Sequence, residues 1–174
     1  MDAGTLARKV RLMAFDVDGV MTDGAIYYTD EGTELKAFNA LDGAGLKMLE
    51  KAGITVAIIT GRKAPCVELR ARNLGISRLF QGVHDKAACV NTLLAELGLS
   101  ADEAGYMGDD VMDLAVMGLC GFSAAPANAH DSVLQRAALV TRKHGGHGAV
   151  REVCDFILSA QGKLEEVIAP WLPQ

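Results

Sequence analysis

Leu12-Met13-Ala14-Phe15-Asp16-Val17-Asp18-Gly19-Val20 is the stretch that decides the fold of this chain. Four apolar residues run straight into two carboxylates and a glycine. Such a run, stopped by an acidic turn, predicts a buried parallel strand whose carboxyl end forms a ligand-binding edge. Asp16 and Asp18 would stand on that edge. Alone, the pair also fits acids that merely cap the turn that follows.

The same pattern recurs on the C-terminal side. Thr55 to Ile59, Gly105 to Met107 and Leu139 to Thr141 read as further central strands, with shorter ones near Leu79-Phe80 and Gly121 to Ser123. Amphipathic stretches separate them, so the expected fold class is α/β, a doubly wound parallel sheet with helices on both faces. Helix punctuation agrees. Pro65 suits a first helical turn, Ser100 to Glu103 matches a capping box, and Gly53, Gly75 and Gly98 fall where left-handed C-terminal caps belong. One segment breaks the alternation: Ala25 to Tyr28 and Glu34 to Phe38 are β-prone and flank the turn-like Thr29-Asp30-Glu31-Gly32. It predicts a hairpin inserted over about residues 25–38. Residues 1–174 then read as one domain with no separate cap domain, and about 162–174 as a short tail containing Pro170, Trp171 and Pro173.

Composition narrows the function classes. Half of the 174 residues are hydrophobic and 22% are charged, the balance of a globular protein with a sizeable core. A net charge of -5 argues against a nucleic-acid or anionic-membrane surface and favours a small-molecule partner. The apolar run around Ile54 to Ile59 is too short to span a bilayer, which places the expected location in the cytoplasm. Cys66, Cys89, Cys120 and Cys154 form no C-x-x-C pair and read as reduced thiols rather than zinc ligands. His144 and His147 lie in a glycine-rich run that reads as a flexible loop.

Chemistry concentrates at the predicted strand ends. Ile58-Ile59-Thr60-Gly61-Arg62 places a hydroxyl and a cation after the second strand, although Thr60 could equally cap a helix. Lys86 stands near the start of a helix beginning around Asp85, where the macrodipole disfavours a cation unless an anion lies close. A solvated surface lysine is the alternative. Tyr106-Met107-Gly108-Asp109-Asp110 follows another strand, with Asp113 three residues beyond Asp110 and on the same helical face. Acids gathered at a phosphate site repel the ligand unless a hard divalent cation is present, and oxygen ligands are what magnesium prefers.

These four segments, spanning residues 12 to 113, resemble the four motifs of the haloacid dehalogenase superfamily, which has a Rossmann-like sheet. The resemblance implies that Asp16 attacks phosphorus to form an aspartyl phosphate. Asp18 protonates the departing alkoxide and later activates water, while Thr60 and Lys86 hold phosphoryl oxygens. It implies Mg2+ bound by Asp16, the backbone carbonyl of Asp18 and Asp109, with Asp110 and Asp113 orienting the shell. An acid at position 18 favours a phosphatase over a dehalogenase.

A closer resemblance, to the family of 3-deoxy-D-manno-octulosonate 8-phosphate phosphatases of lipopolysaccharide synthesis, covers nearly the whole chain. Asp16 to Gly24, Leu35-Lys36-Ala37-Phe38-Asn39, Ile58 to Arg62, Gly108-Asp109-Asp110 and Gly145 to Cys154 carry it. It implies a substrate pocket lined by Asn39, Ala40, Leu41, Asp42 and Gly43 together with Lys47, Arg62 and Arg70. Arg suits the carboxylate of a sugar acid, since its planar fork donates twice. On residue patterning alone, Arg62, Arg70 and Lys47 would read as solvated helix faces. Leu41 and His147 stand where relatives often carry Arg. A phosphatase for a nine-carbon sugar acid is the related alternative, but it places Glu at the position of Arg62 and Lys at that of Asn73. A catalytically silent binding module is the alternative of another class, and intact Asp16, Asp18, Thr60, Lys86 and Asp109 speak against it. The resemblance also implies a homo-oligomer, a tetramer whose hairpins pair and whose glycine loop (Gly145 to Gly148) and tail help close a neighbour's site.

Overall fold

A computed structural model describes residues 1–173. In chain order its strands are β1 (Leu12–Phe15), β2 (Tyr27–Tyr28), β3 (Glu34–Leu35), β4 (Thr55–Thr60), β5 (Arg78–Gln81), β6 (Ala104–Met107), β7 (Phe122–Ala125) and β8 (Leu139–Val140). The helices are α1 (Ala3–Ala7), α2 (Ala40–Lys51), α3 (Pro65–Leu74), α4 (Lys86–Leu97), α5 (Leu114–Leu119), α6 (Asp131–Leu134), α7 (Ala149–Ala160) and α8 (Leu164–Ile168). Six strands form one parallel sheet in the order β5-β4-β1-β6-β7-β8, and β2 and β3 form a separate antiparallel ribbon. This is the doubly wound α/β arrangement expected from the alternation of apolar runs.

The period of two in the central strands builds two cores. Met13 and Phe15 of β1 and Val56 and Ile58 of β4 face the side covered by α1, α2, α3 and α7. Leu12, Ala14, Ala57 and Ile59 face the other side, covered by α4, α5 and α6. Central strands buried on both faces are the reason that they read as unbroken apolar runs. Helix α7 shows the matching helical period: Ala149, Val150, Val153, Cys154, Ile157 and Leu158 are all buried. Each fully buried aliphatic side chain contributes about 1.5–3 kcal/mol.

Local signals decide the helix ends. Pro65 occupies the first turn of α3, and Gly75 and Gly98 cap α3 and α4 in the left-handed region. Ser100 and Glu103 form the expected capping box, although on a single 3-10 turn. The expected hairpin forms within residues 25–38, with a short ladder of two residue pairs, Tyr27 with Leu35 and Tyr28 with Glu34. One expectation needs correction. The segment expected to be a tail instead forms α8 and a further 3-10 turn, Ala169–Trp171, with Val167 inserted into the core.

Candidate active site

The carboxyl ends of β1, β4 and β6 converge on one cleft of about 440 Å³, lined by Asp16, Asp18, Thr60, Arg62, Lys86, Asp109 and Asp110 among others. The ladder carries Asp16 into place, since its N–H donates to the Met107 carbonyl of the neighbouring strand at 3.0 Å. One Asp16 oxygen accepts from the Val17 N–H at 2.7 Å; the other accepts from Lys86 Nζ at 2.8 Å. Lys86 also donates to Asp113 Oδ1 at 2.6 Å. Burial works against its charge, but Asp16 and Asp113 outweigh that and lift its pKa above the ordinary lysine value. Lys86 is therefore a buried cation, not a solvated one.

Asp113 organises the second acidic strand end. Its Oδ2 accepts from the N–H groups of Asp109 and Asp110 at 3.0 and 3.3 Å, and its Oδ1 accepts from the Tyr106 hydroxyl at 3.2 Å. Asp110 caps the 3-10 turn Val111–Asp113, so Asp113 reaches the site from a turn that precedes α5 rather than from a longer helix. Thr60 is buried at the end of β4, where its hydroxyl accepts from the Arg62 N–H at 3.3 Å.

Oxygens of Asp16, Asp109 and Asp113 lie within 4.8 Å of one another. Burial first, then the charge of Asp113, pushes Asp16 up to about 6 despite Lys86. Burial and then the charges of Asp16, Asp113 and Asp110 push Asp109 up to about 7. Three carboxylates and one lysine leave negative charge uncompensated in a desolvated place. The Asp113 oxygens are already engaged, whereas the Asp109 carboxylate accepts no hydrogen bond from any described residue. A hard divalent cation fits this donor set. Gly19 makes room for the Asp109 carboxylate: at φ +82° a Cβ would stand 2.0 Å from Asp109 Oδ2, so only glycine serves there.

Other residues expected to bind substrate do not line this cleft within one copy of the chain. Asn39 caps α2 and donates to the Gly146 carbonyl. Ala40 and Leu41 lie exposed on the first turn of α2. Asp42 is buried and accepts from the Arg151 N–H at 2.9 Å, at the start of α7. Gly43 packs against Arg70, whose guanidinium donates to the Asn39 carbonyl at 3.0 Å. Lys47 lines a separate groove with Met48, Lys51, Arg151 and Trp171. The glycine loop braces its own chain: the Gly146 N–H donates to the Val20 carbonyl, and a Cβ on Gly145 would meet the Gly19 carbonyl oxygen at 1.8 Å.

The cleft also contains His84, which sequence reading missed although it precedes the Asp85 cap of α4. A second omission is the inner face of the hairpin. Lys36 pairs with Asp18 and with Glu34, and Glu34 in turn accepts from Arg62 at 2.7 Å. The signal lay in the period of two, which puts Glu34 and Lys36 on the same side as the half-buried Phe38.

Comparison with known proteins agrees with this geometry. A family profile described as haloacid dehalogenase-like hydrolase matches residues 78–153. The 3-deoxy-D-manno-octulosonate 8-phosphate phosphatase KdsC of Yersinia pestis is 52% identical over 159 residues, covering 91% of this chain and 85% of that protein. KdsC of Escherichia coli K12 is 50% identical, covering 92% and 85% of the two chains. Among solved structures, the Yersinia pestis phosphatase superposes with a TM-score of 0.92 at 51% identity, covering 94% of this chain and 89% of that one. The Moraxella catarrhalis phosphatase, crystallised with magnesium, phosphate and KDO, superposes with a TM-score of 0.95 at 42% identity, covering 98% of each. The chain therefore belongs to the 3-deoxy-D-manno-octulosonate 8-phosphate phosphatase family of haloacid dehalogenase-like hydrolases.

Proposed function

We propose that this chain is a phosphatase, one catalytic domain that hydrolyses 3-deoxy-D-manno-octulosonate 8-phosphate to the sugar acid and phosphate in cytoplasmic lipopolysaccharide synthesis. The observation that carries the reading is Asp16, held by Val17 and Lys86 beside Asp109, in a family whose members are named for that reaction. Asp16 attacks phosphorus as the ester P–O bond breaks, and Asp18 gives a proton to the departing alkoxide. Water then attacks the aspartyl phosphate, Asp18 takes its proton, and phosphate leaves as the Asp16 carboxylate is restored. Thr60 and Lys86 bind the phosphoryl oxygens, which gives Lys86 partners beyond Asp16 and Asp113. Magnesium would be held by Asp16, Asp109 and the Asp18 carbonyl, and when bound it neutralises charge on the transferred group. Asp110 and Asp113 orient that shell.

Arg62 borders the cleft with its side chain 41% exposed, near enough to serve the carboxylate of a sugar acid. The eight-carbon sugar-acid 8-phosphate is expected to exceed a neutral hexose phosphate in kcat/KM by about 10-fold, because the half-exposed Arg62 gains a charged partner only from the sugar acid. Arg62→Ala should erase most of that preference. Equal or better turnover of hexose phosphates by the wild type would end the sugar-acid assignment and leave the phosphatase assignment standing.

We also propose that the working form is a homotetramer. Ile26, Tyr27, Tyr28 and Leu35 are 45–61% exposed on a ribbon of two residue pairs, which is marginal by itself. Pairing of hairpins would cover them and let Asn39 to Gly43, Lys47 and Arg70 serve a neighbouring cleft. Sedimentation at assay concentration should give a single species of about four chain masses. The double change Ile26→Arg and Tyr27→Arg should yield monomers with little activity, whereas a fully active monomer would refute shared sites.

A further inference from the structure

From the ion pairs behind the cleft, we infer that Lys36 is a positioning residue that aims the Asp18 carboxylate, making the hairpin part of the leaving-group machinery. The inference rests on Asp18 acting as the general acid. Lys36 comes from the stem of the ribbon, whose outward residues Tyr28 and Leu35 are largely exposed, yet its own side chain is only 1% exposed. A buried ammonium persists only where carboxylates pair with it. Two do: Asp18, which contacts it through Oδ1, and Glu34, at 2.7 Å.

Glu34 is held in turn. Its other oxygen accepts from Arg62 Nη2 at 2.7 Å, and the same nitrogen donates to the Tyr28 hydroxyl at 3.1 Å. The chain of contacts nearly closes, because Arg62 Nε lies 4.0 Å from Asp18 Oδ2. Asp18, Lys36, Glu34 and Arg62 therefore form a ring of alternating charge, with its two outer members on the cleft and its two inner members on the hairpin.

A ring that only fastened the hairpin would need Glu34 and Arg62 alone. Lys36 adds a contact to one chosen oxygen of Asp18 and leaves Oδ2 without a hydrogen bond. A proton donor needs one oxygen fixed and the other without a protein partner, and Oδ2 is that oxygen: it is buried, lies 4.0 Å from Arg62 Nε and accepts from no described residue. General acid help matters in proportion to the basicity of the leaving group, so a positioning role predicts losses that depend on the ester used.

The experiment compares Lys36→Met and Asp18→Asn on the sugar-acid 8-phosphate, an alkyl ester, and on 4-nitrophenyl phosphate, whose leaving group departs without protonation. Lys36→Met is expected to lower kcat/KM for the alkyl ester by about 10²-fold, with a decline nearer threefold for the aryl ester, because kcat/KM reads the transfer to Asp16 and not the later step in which Asp18 activates water for both esters alike. The double variant should be no slower on the alkyl ester than Asp18→Asn alone, as expected for residues acting through one group. Equal losses on both esters, or losses that multiply in the double variant, overturn the inference. If Asp18→Asn itself shows no dependence on the leaving group, the assignment of Asp18 falls and the inference with it. If Asp18→Asn shows that dependence and Lys36→Met does not, the inference alone falls. Aryl-ester turnover reports folding, and Lys36→Met with Glu34→Gln removes the unpaired charge should the single variant fail to fold.

Discussion

Asp16→Asn is expected to lower phosphate release by at least about 10⁴-fold while the metal-free protein at pH 8 melts no lower than the wild type. The kinetic half follows from the amide, which has neither the charge nor the reactive lone pair of the carboxylate. The stability half follows from the site. Burial and the Asp113 charge, only partly offset by Lys86, raise Asp16 to about 6, so keeping it ionised at pH 8 costs about 3 kcal/mol relative to the neutral group. Asparagine resembles that neutral group and can keep the 2.7 Å bond from the Val17 N–H. It loses the bond from Lys86, but that loss is already contained in the net figure, since Lys86 holds the Asp16 value down. Removing the charge therefore costs the fold nothing net, and the fold survives. Near wild-type turnover by a pure sample would remove Asp16 as nucleophile, and a large fall in Tm would remove the account of its crowding.

The strand ends that meet at the cleft were legible in the sequence because each polar group directly follows an apolar run: Asp16 after Phe15, Thr60 after Ile59, Asp109 shortly after Met107. A parallel strand buried on both faces cannot hide where it ends. What lies outside those ends depends on contacts distant in sequence. Asp42 meets the backbone of Arg151 and Asn39 that of Gly146, each across more than a hundred positions, and no local pattern shows that these groups are engaged. Lys36 illustrates the same gap with one difference. Its alternation with Glu34 and Phe38 marks an inward charge, but its partner Asp18 becomes visible only in three dimensions. Helix α8 was obscured by Pro170 and Pro173, which suggest a loop, although Leu164, Val167 and Ile168 have the spacing of a buried face.

Exhaustive chelation is expected to stop phosphate release, magnesium to restore it, and the stabilisation by magnesium to depend on pH in a direction that the site fixes. Asp16 and Asp109 sit at about 6 and about 7, both above the ordinary aspartate value, principally through burial and secondly through one another and Asp113. A folded chain with raised carboxyl pKa values holds protons that the unfolded chain has already released. Between about pH 4 and pH 7 these two groups therefore withdraw stability from the metal-free protein as pH rises. Lys86 does not reverse this. Its pKa is also raised, so its contribution is complete throughout that window and declines only above the ordinary lysine range. A divalent cation needs both carboxylates ionised, and below pH 6 it must displace their protons, so its affinity should fall by about two to three orders of magnitude between pH 8 and pH 5. Because a ligand stabilises by RT ln(1 + [L]/Kd), a fixed millimolar concentration of magnesium should raise Tm several degrees at pH 8 and scarcely at pH 5. Thermal melts with and without magnesium across that range read the effect directly, and calorimetry should show protons released on binding near pH 6. An equal rise in Tm at both ends would mean that Asp16 and Asp109 do not hold the ion, and phosphate release that survives chelation would mean that the reaction does not need it.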